Sequence, residues 1–169
     1  MQHVTTIEVS KEDIKFSAAH FTIFSATERE RLHGHNYFVS VEFSAPVGDN
    51  GICFSYKEIK DRLRAICDGL DEYMLLPQHS PHLTIEEDGL NYRVRFAEDT
   101  LYFLKSDTII LPVRNTTLEE FSRYLLDCLL ADGDFMRDSG MLRFVLKVSS
   151  GAGQWGSASW EPSSKGASA

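Results

Sequence analysis

Six histidines occur in the chain, and three of them sit where they can act together. His33-Gly34-His35 immediately precedes a segment, residues 36–45, in which Tyr37, Val39, Val41 and Phe43 alternate with more polar neighbours. Such alternation marks a half-buried strand, and residues two apart on a strand project from one face. His33 and His35 therefore aim at one point, with Gly34 leaving room between them. His20 ends the preceding β-patterned segment. If the two segments pair antiparallel, His20 arrives at the same end. Three imidazoles converging on an open fourth position form the ligand set of a catalytic zinc site. A structural zinc site would take a fourth protein ligand, usually cysteine, and none is placed for it. The alternative is a solvated or hydrogen-bonded pair, which an isolated His-x-His more often is. His3, His79 and His82 have no such company and read as surface residues.

Residues 4–18 read as one long strand with a bulge near Lys11-Glu12-Asp13. From Ser55 the period becomes helical: Ile59, Leu63, Ile66, Cys67 and Leu70 make one apolar stripe. Ser55 with Glu58 three residues later predicts a capping box, and Pro77 bars any continuation. Residues 83–111 return to short β patterns, two or three strands of a hairpin-rich excursion. Thr117, with Glu120 three later, opens a second helix whose stripe is Phe121, Tyr124, Leu125, Cys128 and Leu129. Asp132-Gly133-Asp134 ends it. Residues 141–149 read as a strand, and a last short one contains Ala158 and Trp160. Runs of strands with two helices between them predict an α+β fold, an antiparallel sheet with the helices on one face.

The whole chain bounds the possibilities. At 169 residues it predicts one domain, residues 1–161, followed by a Ser/Ala/Gly-rich tail over 162–169. Apolar residues at 43% and charged residues at 25% exclude a disordered chain or a coiled coil. A net charge of −8 argues against nucleic acid as a partner. No run of about 18 apolar residues exists, so no membrane span is expected. The start carries no secretory pattern, and Cys53, Cys67 and Cys128 form neither a CxxC pair nor an even set. The reducing cytoplasm is the expected compartment.

Phe16-Ser17-Ala18-Ala19-His20 followed by Leu32-His33-Gly34-His35-Asn36-Tyr37 resembles the 6-pyruvoyltetrahydropterin synthase and 6-carboxytetrahydropterin synthase family. The resemblance continues through Gly51-Ile52-Cys53-Phe54-Ser55-Tyr56, Leu70-Asp71 and Asn115-Thr116-Thr117-Leu118-Glu119. It implies the tunnelling fold: a four-stranded antiparallel sheet with two helices, here with an inserted β-hairpin region over about 78–111. Subunits of such proteins join through sheet edges into a β-barrel, as trimers or stacked hexamers, with sites between subunits. The resemblance further implies zinc held by His20, His33 and His35. It implies a lyase converting a small pterin-like substrate, 7,8-dihydroneopterin or its triphosphate, to a 6-substituted pterin.

Three departures from the family pattern stand out. The proton-transferring cysteine, four residues before the His-Gly-His, is replaced by Arg29, which stays protonated and cannot act as a base. Glu28 and Glu30 flank it, and a one-residue shift would supply a carboxylate, as relatives that cleave dihydroneopterin carry. The Asp-His pair becomes Asp71-Glu72. The glutamate that anchors the pterin's guanidine-like edge aligns with Ser150, which cannot form a bidentate charged pair. Thr117 and Glu119 match the family's other contacts to that edge, and Thr117 also reads as a plain helix cap. Ser55 stands where an aspartate is usual. The resemblance thus leaves three readings: a pterin lyase using Glu30 or Glu28 with Asp71 and Glu72, a zinc enzyme of the same fold with another ligand, and a non-catalytic pterin- or purine-like binding relative.

Overall fold

The computed structural model describes residues 3–131 and 139–162. The helix end expected at Asp132-Gly133-Asp134 and residues 163–169 of the expected tail lie outside the described residues.

Two long strands form the frame. β1 (Val4–His20) pairs antiparallel with β2 (His33–Pro46), from Val4 opposite Pro46 to His20 opposite His33. The second strand begins three residues earlier than the alternation alone suggests, so His33 and His35 lie on the strand rather than before it. The expected bulge is present as a register shift between Ser10 and Lys15. Ser10 faces Ser40 and Lys15 faces Phe38, so five steps on β1 match two on β2. That odd surplus inverts the facing of β1. Val9 is buried before the shift; Ile14, Phe16, Ala18 and His20 are buried after it.

β2 pairs antiparallel with β8 (Arg143–Ser149), and β8 with β9 (Gly156–Trp160), which completes the expected four-stranded antiparallel sheet. Two short strands extend it beyond β1. β3 (Tyr73–Pro77) joins β1 in parallel, and β7 (Thr108–Leu111) joins β3 in parallel, giving the order β7-β3-β1-β2-β8-β9.

Both helices cover one face, making the fold α+β. Ile59, Leu63 and Cys67 of α1 (Lys57–Asp68) and Phe121, Leu125 and Leu129 of α2 (Leu118–Leu130) close on Phe16, Tyr37, Val41, Phe43 and Leu146. Thr117 caps α2 as expected, its hydroxyl accepting from the Glu120 amide at 3.4 Å. The capping box expected for α1 does not form. Tyr56 packs on Phe43 and Phe54 and takes a helical conformation (φ −73°, ψ −5°), so the first turn starts there. Glu58 instead pairs with Arg62 at 2.8 Å, one turn on.

The excursion is a separate three-stranded antiparallel sheet: β4 (Thr84–Asp88), β5 (Asn91–Phe96) and β6 (Asp99–Leu104). It has its own apolar cluster, in which Val94 and Phe96 meet Phe21, Ile23, Met74 and Leu76. Leu75 belongs to the helix-side cluster, so β3 is buried on both faces, with the excursion covering the side away from the helices.

β9 runs so close to the start of α2 that a Cβ built on Gly156 would fall 2.5 Å from the Leu118 carbonyl oxygen. Gly156→Ala must push the helix and strand apart. It is expected to lower stability by about 1–3 kcal/mol in urea unfolding. Ser157→Ala, one residue on and exposed, is the control expected to change nothing.

Candidate metal centre

The β1–β2 register brings the three histidine rings into one cluster. Ring centroids are 4.6 Å apart for His20 and His33, 5.2 Å for His20 and His35, and 4.8 Å for His33 and His35. One nitrogen from each ring lies within 4.8 Å of the other two. Two of the rings are oriented from behind by backbone carbonyls: His20 Nδ1 lies 2.9 Å from the Thr116 oxygen, and His33 Nδ1 lies 2.7 Å from that of Arg31. A proton on Nδ1 donated to a carbonyl leaves the Nε2 lone pair free to ligate, the usual outer support of a metal-bound imidazole.

The donor set fits a cation. His20 is 5% exposed, and its Nε2 is buried without a hydrogen-bond partner among the described residues. A buried polar atom left unpaired is costly, and a metal ion in the cluster would satisfy it. Burial pushes the His20 pKa down to about 4, against the Thr116 carbonyl and helped by His33 and His35. The ring is therefore neutral and ligand-competent at neutral pH. His35 is also lowered, first by burial and then by His33. Gly34 serves a different purpose from the one its position suggested. Its missing side chain makes room on the opposite face, where a Cβ would lie 3.2 Å from the Ala18 carbonyl oxygen.

The cluster opens into a cavity of about 260 Å³ lined by His20, His35, Glu30, Thr117, Glu119 and Ser150, together with Thr22, Tyr37 and Gln154. Glu30 Oε2 accepts the Thr22 amide at 3.0 Å and stands 3.9 Å from His33 Nε2. Burial would raise its pKa, but the Thr22 hydrogen bonds and the neighbouring His33 and His20 outweigh this, so the carboxylate is held below its ordinary range. Glu28 lies elsewhere: it is exposed, and its carbonyl accepts the Phe24 and Ser25 amides in a tight turn. Within one chain Asp71 and Glu72 are also apart from this cavity. The Asp71 carboxylate accepts the Ser17 amide at 2.6 Å. Glu72, at φ 65°, lines a second cleft of about 460 Å³ with Ser17, Asn36, Tyr73 and Asp107. His35 borders both cavities.

Two contributors stood in segments noted for resemblance but were given no role there. Tyr37 looked like a core residue; its ring lies 5.7 Å from both His20 and His35, and burial followed by the Glu30 charge raises its pKa, so the hydroxyl stays protonated. Gln154 donates to Ser150 Oγ at 2.9 Å, a neutral pair in the cavity wall. The Asn115-Thr116 segment, noted only for resemblance, is a seam. Asn115 receives the Ile23 amide at 3.1 Å and returns a bond to the Ile23 carbonyl at 2.8 Å. Thr116 donates to the Phe21 carbonyl at 2.9 Å.

Comparison with known proteins agrees with this arrangement. A family model described as 6-pyruvoyl tetrahydropterin synthase matches residues 8–139. A putative 6-carboxy-5,6,7,8-tetrahydropterin synthase of Methanocaldococcus jannaschii is 30% identical over 112 residues, 66% of this chain and 68% of that protein. The 6-pyruvoyltetrahydropterin synthase of Plasmodium vivax superposes with a TM-score of 0.89 at 26% identity, covering 94% of this chain and 99% of that one. Two further structures of that protein are described as variants of a catalytic residue, glutamate replaced by alanine or by cysteine. The Plasmodium falciparum protein gives 0.88 at 26% identity, covering 94% and 98%.

The His20 ring sets a pH dependence in the metal-free chain. The unfolded chain takes up this proton below its ordinary value of 6.5, the fold only near 4, so stability is complete above that window and falls as pH drops through it. Urea unfolding in chelator from pH 7 to pH 4 should show the parent losing stability relative to His20→Gln, by roughly 3 kcal/mol. Parallel curves for the two proteins would refute the buried neutral ring.

Proposed function

The chain belongs to the 6-pyruvoyl tetrahydropterin synthase family, and we propose that it is a zinc-dependent lyase acting on 7,8-dihydroneopterin or its triphosphate to give a 6-substituted pterin. The observation that carries this reading is one cavity lined by metal-competent histidines, an ionised glutamate and the Thr117–Glu119 edge. His20, His33 and His35 would hold the zinc. When bound, zinc polarises the substrate's side-chain oxygens and lowers the pKa of a hydroxyl it contacts.

The remaining roles fall to the chain's own groups. Glu30 takes the proton that the family's cysteine takes, its carboxylate aimed by the Thr22 amide. A catalytic glutamate is named in the Plasmodium vivax relative, which supports this assignment. Tyr37 keeps its proton and can donate to an oxygen in the cavity. Thr117 and Glu119 receive the heterocycle's edge, with Ser150 and Gln154 completing the wall. Asp71 and Glu72 act from a neighbouring subunit in this proposal. The chain assembles in the cytoplasm as a trimeric or hexameric barrel, which also closes the sheet's open edges. Among the described residues no helix is long and apolar enough to cross a membrane.

A second reading rests on the Ser150–Gln154 pair. A neutral wall where the family has a carboxylate favours a ligand without a guanidine-like edge, whether turned over or only bound.

Metal analysis of the purified chain is expected to find about one zinc per subunit, lost in both His33→Ala and His35→Ala. Incubation with dihydroneopterin and with its triphosphate, followed by chromatography, should yield a 6-hydroxymethyl, 6-pyruvoyl or 6-carboxy pterin. Glu30→Gln should cut kcat by about 10²–10⁴-fold with zinc content unchanged, whereas Glu28→Gln should stay within about twofold of the parent. Zinc-loaded protein that binds but does not convert either pterin would move the assignment to the non-catalytic reading.

A further inference from the structure

Arg29 takes the place of the family's cysteine, yet it does not enter the histidine cavity. Its side chain is 17% exposed and turns toward the three-stranded excursion. The guanidinium carbon lies 5.2 Å from the ring centre of Phe21, the residue after His20, and 5.6 Å from that of Phe96 on β5. Nη2 donates to Asp99 Oδ2 at 3.0 Å, at the start of β6. Nη1 donates to the carbonyl oxygen of Glu30 at 3.0 Å. Nε is buried without a hydrogen-bond partner among the described residues, so the group is held by its two outer nitrogens and by the flanking rings.

One planar cation thus touches three things: the aromatic next to a metal-ligand candidate, the excursion, and the backbone of the candidate base. A guanidinium suits such a position because it stacks on rings through its face while donating in its plane. The segment it grips is anchored at its start by the burial of Phe21 and Ile23, and has few hydrogen bonds beyond that. Among the described residues, and beyond those of the Arg29 side chain, the hydrogen bonds of residues 21–32 are the isolated Ile23–Arg29 bridge, the 24–28 turn with its Thr27–Ser25 bond, the Asn115–Thr116 seam at one end, the Arg31 carbonyl to His33, and the paired bonds of Thr22 and Glu30. In that pair the Glu30 amide donates to the Thr22 carbonyl at 2.8 Å, and the Thr22 amide donates to the Glu30 carboxylate at 3.0 Å. A shift in the Glu30 backbone therefore moves its carboxylate relative to His33.

We infer that Arg29 is a positioning residue: it straps the β4–β6 excursion to the segment bearing Glu30 and fixes where the Glu30 carboxylate stands. The assignment of Glu30 as the base rests on the function proposed above; the strap itself does not. The excursion is then a brace for the site rather than a decoration of the sheet. Asp99 is its outer anchor, and Phe96 is the surface on which the guanidinium lies.

Amide hydrogen exchange on the zinc-bound full-length protein tests this without turnover. Arg29→Gln should speed exchange of the Thr22 and Glu30 amides by roughly tenfold or more, leaving β2 and β8 at parental rates. Arg29→Lys, which keeps the charge but loses the plane, should restore only part of the protection. Asp99→Ala, a change at a 63% exposed side chain, should give a smaller rise at the same two amides, about threefold, and decides the matter if the Arg29 variants do not fold. Unchanged exchange at Thr22 and Glu30, or a rise spread evenly over the chain, would overturn the strap. Where the parent turns over a pterin, Arg29→Gln should lower kcat by about tenfold with KM within about twofold. A parent without turnover would remove the base assignment and leave the exchange result to judge Arg29.

Discussion

The antiparallel register of β1 and β2 is the constraint on which the rest of the molecule depends. It sets His20 directly across from His33 and Ala18 across from His35. Because facing alternates strictly along a strand, a slip of one residue would send His20 to the face covered by the excursion. The bulge between Ser10 and Lys15 is part of this constraint. Before it, the odd-numbered side chains of β1 face the helices; after it, the even-numbered ones do. The strand thus feeds Val9 and Phe16 into one core and still delivers His20 to the same side at its end. Close approach of the two backbones at that end is permitted by Gly34.

Much of this was legible in the sequence, and the reasons for the failures are physical. The histidine trio, both helix stripes and Thr117 as a cap follow from periodicity and residue type, and the structure has them. β3 escaped notice because Met74-Leu75-Leu76 is buried on both faces, so it shows an apolar run with no alternation to read. Ser55 misled by its partner: its hydroxyl accepts the Lys57 amide at 3.4 Å rather than that of Glu58, because Tyr56, held by Phe43 and Phe54, is already helical. The choice between Glu28 and Glu30 is invisible to spacing alone, since it turns on which carboxylate the Thr22 amide can reach. Nothing in the residue pattern marked Tyr37 or Gln154 as part of the site, although Tyr37 closes the His-Gly-His motif. One lies in a plain alternating strand, and the other in a segment whose nearness to α2 is purely tertiary.

Among the described residues the molecule carries two apolar cores, and the histidine cluster sits near their common border. One lies between the sheet and the helices; the other lies between the sheet and the excursion. Phe16 and Ala18 belong to the first, Phe21 and Ile23 to the second, with His20 between them in sequence. A ligand placed there inherits rigidity from both sides. The neutral state of His20 follows from the same location, since burial is the largest influence on its ionisation. Of the ring's two nitrogens, Nδ1 faces the Thr116 carbonyl and Nε2 has no hydrogen-bond partner among the described residues.

That carbonyl lies 96 residues further along the chain than the ring it orients. All three imidazoles belong to the first 35 residues, and the β1–β2 hairpin that gathers them can form early and locally. The group that orients His20 arrives only after the whole excursion has been made, two residues before α2 begins. Closing a loop of that length is slow compared with hairpin formation. During synthesis the ribosome therefore releases the three rings well before it releases the carbonyl that orients His20. In that interval His33 already has the Arg31 carbonyl at hand, while the His20 ring is still free to turn until Asn115 and Thr116 dock onto the end of β1.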